Sequence, residues 1–262
     1  MLYDIEKNYK IGMQSKGNIL TETSLKQNNI AYQLRLKANE YRKISSYKEA
    51  VKEYLNAVLI DNNDFESLLG LGISYKYLNQ TEKAIKTLEK AALLNKENAE
   101  VFYELGICLL INGQICPAMH SLVKSLQIDK TNVNAQLQLA IVHEALEEYD
   151  MALTIYRKII ETNPSYVKAY EHEAFLLTEL RRYKEAGAVF KKLLRVFPEC
   201  NHANMGIGVC FEKLNKNLQA RRYYKQFLQN AKDETEISLV KTKLKNLDVT
   251  YPKRNNTLSL VV

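Results

Sequence analysis

A period of 34 residues runs through the chain without an insertion, and it constrains the fold more tightly than any other feature. Alanine recurs at Ala50, Ala84, Ala118, Ala152, Ala186 and Ala220. Twelve residues before each stands another small residue, at Ala38, Gly72, Gly106, Ala140, Ala174 and Gly208. Four residues after each comes a bulky one, at Tyr54, Leu88, Leu122, Tyr156, Phe190 and Tyr224. A fixed period of this length is the mark of one supersecondary unit stacked repeatedly on itself. Within each unit the spacing is helical, because residues three, four and seven apart share one face of a helix. In the second unit Leu68, Leu71, Gly72 and Tyr75 make one stripe. After a break at Asn79 and Gln80, Ala84, Ile85, Leu88 and Ala91 make another, so each unit reads as two antiparallel helices. The small residues let the backbones approach to the near end of the usual range of about 8 to 10 Å, and the bulky ones fill the flanks. Pro164 and Pro198 stand where the second helix must stop, a place held elsewhere by Asn62, Lys96, Lys130 and Lys232.

Small residue, alanine, bulky residue and proline at these offsets resemble the tetratricopeptide repeat, over residues 31–234. The best-matched stretches are Leu68, Leu71, Gly72 and Tyr75 followed by Ala84, Leu88 and Ala91, and Ala186 with Phe190 ending at Pro198. The resemblance implies an all-α protein, an α-solenoid wound as a right-handed superhelix. It gives six repeats at 31–64, 65–98, 99–132, 133–166, 167–200 and 201–234. Two positions depart from the family pattern, His143, where an aromatic or leucine is usual, and Asn204, where a bulky apolar residue is usual. A repeat array needs its last apolar face covered. Asp233 and Glu236 have capping-box spacing ahead of Ile237, Val240, Leu244 and Leu247, which share a helical face, so a capping helix is expected at 235–247. The N-terminal extension, 1–30, is expected to be partly helical or disordered, and 248–262 a mobile tail.

The repeats leave little room for other chemistry. Outside them and the cap remain about 45 residues in two terminal segments, near the lower limit for an independent domain, so no catalytic domain is expected. His120, His143, His172 and His202 never fall at the three- or four-residue spacing with which one helix presents two metal ligands. Cys200, His202 and Cys210 lack a fourth ligand, and Gly70 and Gly72 lie inside a helical stripe rather than in a phosphate-binding loop. Neither a metal nor any other cofactor is expected. The longest apolar run, Ile107 to Ile111, falls far short of the roughly 20 residues of a membrane span. With no apolar leader after Met1 and no CxxC pair among the four cysteines, the expected compartment is a reducing, cytoplasmic one.

Binding is therefore the expected role. By the family resemblance, the first helix of each repeat lines the concave side, with groove-facing residues at the second, fifth, ninth and twelfth places. The expected peptide groove comprises Arg35, Asn39, Leu69, Ile73, Lys76, Tyr103, Ile107, Leu137, Ile141, Phe175, Met205 and Val209; within it one column, Asn39, Ile73, Ile107, Ile141, Phe175 and Val209, is apolar in five of six repeats and suits a peptide or helix of another protein. Arg35, Ala38 and Asn39 also resemble the start of the carboxylate clamp of chaperone-docking members. Gly70, Glu100 and Glu104 stand where the rest of that clamp needs Asn and basic residues, which argues against it. Charge is uneven: the fourth repeat carries two basic and five acidic residues, the sixth six and three. The expected function is a non-enzymatic interaction scaffold or adaptor. Two alternatives stay open: a regulatory or targeting subunit of an enzyme complex, and RNA binding through the basic C-terminal third, although nucleic acid is disfavoured for want of exposed aromatics beside the cations.

Overall fold

The computed structural model describes residues 27–250. Residues 1–26 of the expected N-terminal extension and 251–262 of the expected tail lie outside them. Helices account for all the regular structure, with no strand among the described residues. The chain divides into two compact units, one ending at Ala145 and the other beginning at Leu146. The division falls inside the fourth repeat, between its two helices. The N-terminal unit contains α1 (27–43), α2 (Tyr47–Ile60), α3 (Phe65–Tyr77), α4 (Thr81–Leu94), α5 (Ala99–Ile111), α6 (Ile115–Ile128) and α7 (Val133–Ala145). The C-terminal unit contains α8 (Tyr149–Thr162), α9 (Val167–Glu179), α10 (Tyr183–Val196), α11 (Asn201–Lys213), α12 (Asn217–Asn230) and α13 (Glu234–Thr250). From α2 to α7, and again from α8 to α13, each helix packs on the next. Helix α13 extends beyond the expected 235–247, through the first residues of the expected tail.

The turns inside the hairpins repeat as faithfully as the core. Ser45, Asn79, Gly113, Glu147, Arg181 and Asn215 all have positive φ, 34 residues apart, and only one of them is glycine. At five of these turns the residue donates its N–H three residues back and its successor donates five back, as in Asn79 to Lys76 and Gln80 to Tyr75. This is the Schellman arrangement, which satisfies the last carbonyls of the first helix and reverses the chain.

Between repeats the two units stop and restart their helices differently. In the N-terminal unit the carboxylate of Asp64 and the amide oxygens of Asn98 and Asn132 accept the N–H of Ser67, Val101 and Ala135, capping α3, α5 and α7. In the C-terminal unit α9 and α11 begin at Tyr166 and Cys200 without a side-chain cap. Pro164 and Pro198 do the punctuating there. Helix α13 is again capped, by Asp233 accepting from the N–H groups of Thr235 and Glu236 at 2.9 and 3.0 Å. Glu236 does not complete the reciprocal half of the expected box; its carboxylate lies 3.3 Å from His202 Nε2.

The three sequence series form the core. The alanines from Ala50 to Ala220 are fully buried, as are Tyr54, Leu88, Leu122, Tyr156 and Tyr224. A methyl group added at Gly72 would come within 2.6 Å of Leu88 Cγ, at Gly106 within 2.9 Å of Leu122 Cγ, and at Gly208 within 2.5 Å of Tyr224. In these three repeats the bulky residue therefore rests on the small residue of its own repeat. It can also press on the next one: Gly70 lies against the ring of Tyr54, and Gly206 against that of Phe190. Such close approach is available only where no Cβ intervenes.

Candidate interaction surface

In the N-terminal unit much of the expected groove is already engaged. Arg35 donates to Asp64 at 2.5 Å, and Asp64 also receives the Ser67 hydroxyl at 2.6 Å. The Asn39 amide oxygen accepts from the Tyr54 hydroxyl at 2.5 Å. The two residues that resembled half of a carboxylate clamp thus have partners within the fold. Lys76 is likewise paired, with Glu104 at 2.5 Å, both side chains largely shielded from solvent. Leu69, Ile73 and Leu137 are buried, so they pack within the unit rather than presenting an open stripe. Tyr103, Ile107 and Ile141 are half-buried. Half of these six middle positions are therefore spent on packing, and the other half are partly open.

The C-terminal unit keeps an open apolar surface. Phe175, Met205 and Val209, on α9 and α11, border a hollow of about 410 Å³ whose floor is completed by Phe190 and Leu193 of α10. Phe175 is 59% exposed, an unusual state for a phenylalanine, and its ring meets Phe190 edge-on at a centroid distance of 6.1 Å. Gly206 leaves room for the Phe190 ring beneath α11. Glu171, His202 and Glu236 form a polar rim. The hollow has the composition of a side-chain anchor site, an apolar floor with a few polar groups at its edge.

Several of these residues were not among the expected groove positions. Phe190 was read as the bulky core residue of its repeat and Glu236 as part of the cap, and Leu193, on a second helix, was not singled out. Glu173 on α9 was also missed, although its phase gave a signal, since Leu71, Leu105, Leu139 and Ile207 hold the same place in other repeats. Its carboxylate is buried and accepts from Arg157 Nε at 2.8 Å. Burial raises its pKa, and Arg157, with its own side chain 46% exposed, only partly offsets this.

The candidate chemical groups have ordinary structural places. Burial raises the pKa of the thiols of Cys108, to about 11, and of Cys210 and Cys200, so these sulfurs stay protonated and poorly nucleophilic at neutral pH. His172 stacks on Tyr156 at 5.6 Å, and burial lowers its pKa. His143 fits its helix as a buried residue. Among the described residues no group of three or more His, Cys, Asp or Glu could hold a metal ion, and no helix is long and apolar enough to cross a membrane.

Helical hairpins stacked at a constant period, with a small apolar hollow on their first-helix side, define an all-α repeat solenoid. Tetratricopeptide repeat models match residues 65–98, 137–195 and 173–235, together just over half the chain. The chain belongs to the tetratricopeptide repeat family, whose members are protein-interaction scaffolds. Among solved structures it is similar to PilW, a type IV pilus biogenesis factor, at 20% identity over 80% of this chain and 98% of that one, with a TM-score of 0.67. It is also similar to YrrB, a TPR protein with an unusual peptide-binding site, at 18% identity, 74% and 97% coverage and a TM-score of 0.59. A third is a tetratricopeptide repeat protein from Parabacteroides merdae, at 20% identity, 83% and 84% coverage and a TM-score of 0.58. At these identities the likeness concerns the fold. No curated protein matches the sequence significantly.

Proposed function

We propose that this protein is a non-enzymatic scaffold that binds a peptide or helix of a partner protein on its first-helix face, using the hollow around Phe175 as the anchor site. The observation that carries this reading is the exposure of Phe175 beside Met205 and Val209, three groove positions that converge on one apolar hollow. Leaving a phenylalanine 59% exposed forgoes about half of the 1.5–3 kcal/mol that full burial of such a side chain supplies, and a docked apolar side chain would recover it. The half-buried Ile107 and Ile141 would give a partner a second, weaker footing on the N-terminal unit.

The test is a selection of peptides from a display library on the immobilised chain, followed by affinity measurement on Phe175→Ser, Val209→Asp and Ile107→Asp variants. Phe175→Ser and Val209→Asp should weaken the selected peptides at least tenfold with helicity unchanged, and Ile107→Asp should weaken them less. Undiminished binding in the first two would refute the anchor.

A further inference from the structure

A second hollow, of about 270 Å³, lies between α10 and α11 and shares with the first none of its lining residues. It is bordered by Lys184, Lys191 and Arg195 of α10 and by Lys216, just beyond α11, and no acidic residue lines it. All four cations are exposed, and among the described residues none of them forms an ion pair. The acids on α10 and α11 themselves are committed elsewhere. Glu185 faces Arg182 at 2.7 Å and Arg157 at 3.5 Å, while Glu212 faces Lys243 and the Tyr224 hydroxyl. Four like charges are thus gathered with no ion-pair partner among the described residues.

Their arrangement is linear. Lys184, Lys191 and Arg195 are seven and four residues apart, so they share one face of α10 and span roughly 16 Å along its axis at about 1.5 Å per residue. A single phosphate would reach one or two of them, whereas about five residues of extended peptide, at about 3.3 Å each, match the stripe. Two aromatic residues line the hollow. Phe211 stacks on Tyr223 at 5.6 Å and has the Lys191 ammonium 4.9 Å from its ring centre, which leaves only the half-buried Tyr183 for the base stacking that single-stranded nucleic acids use. Carboxylates need only the cations.

We infer that the α10–α11 hollow is a docking site for an acidic peptide segment of a partner protein, separate from the apolar anchor around Phe175. Its charges steer and hold an aspartate- or glutamate-rich stretch while the anchor site takes apolar side chains. A partner with both features would engage two sites at once.

The test uses the full chain and a fluorescein-labelled octaglutamate peptide, with binding read by polarisation at low and physiological salt. A triple Lys184→Gln, Lys191→Gln, Arg195→Gln variant is compared with a Lys48→Gln, Lys86→Gln, Lys90→Gln control, which removes equal charge from other exposed helix faces. The expected result is at least a tenfold weaker Kd in the first variant and less than a twofold change in the control, with unfolding midpoints unaltered in both. No binding by the wild-type chain, or equal losses in the two variants, would overturn the proposal. So would a single-stranded RNA octamer that binds more tightly than the peptide and loses that binding in the first variant, since the site would then belong to a nucleic acid.

Discussion

Gly70 and Tyr54 should be coupled strongly enough to reverse the sign of a mutation. A Cβ at Gly70 would fall 2.6 Å from Tyr54 Cε1 and nearer still to the ring's hydroxyl end. The ring is fully buried and its hydroxyl is held by Asn39 at 2.5 Å, so it cannot swing aside without losing that bond. Overpacking of this kind costs about 1–3 kcal/mol. Losing the hydrogen bond would add about 1 kcal/mol. Against this, alanine gains about 1 kcal/mol over glycine in a helix. Gly70→Ala should therefore destabilise the wild-type chain by about 1–3 kcal/mol. Leucine at the Tyr54 position removes the obstruction: sixteen residues after Leu88 and Leu122 stand Glu104 and Gln138, both of which carry a Cβ. In a Tyr54→Leu background, Gly70→Ala should then stabilise by about 1 kcal/mol, the helical gain alone. A double-mutant cycle read from urea unfolding followed by circular dichroism would show a coupling of about 2–4 kcal/mol, from the upper part of the usual range to somewhat beyond it. Additive effects, or a neutral Gly70→Ala in the wild-type chain, would refute the packing argument.

Two further predictions concern the same fold. The positive-φ turns should respond oppositely to glycine. Gly113→Ala should lower stability by about 1 kcal/mol, and Arg181→Gly should raise it by roughly 0.5–1 kcal/mol, because a left-handed residue costs about 1–2 kcal/mol and glycine returns part of that in entropy; thermal unfolding would decide. Glu173 should give the chain an acid-side stability component. Its folded pKa is raised, so its contribution is fully present below the ordinary carboxylate range and is lost as pH rises through the folded value. Glu173→Gln should accordingly match the wild type near pH 4 and exceed it at pH 7, with Arg157 keeping Glu185 at 3.5 Å; equal stabilities at both pH values would contradict the burial argument.

What the sequence determined by itself was everything governed by local periodicity. Helix geometry forces residues three, four and seven apart onto one face, so the series of alanines, small residues and bulky residues was enough to specify paired helices, their stacking and a covering last helix. The family resemblance assigned the expected groove positions for the same reason. What only the tertiary structure decided was which side chains meet between helices, within a repeat and from one repeat to the next. Arg35 looked available until Asp64, 29 residues on, was found against it, and Asn39 until Tyr54 took its amide oxygen. Leu69, Ile73 and Leu137 occupied groove positions yet lie buried, while Phe175, at an equivalent place, stands open. The four cations between α10 and α11 come from two repeats, and only three of them share a helical spacing. Periodicity fixes the face on which a side chain sits, because that depends on the backbone of one helix. Whether the side chain is covered, paired or open depends on what the neighbouring repeat carries at the point of contact, and those contacts are set by packing.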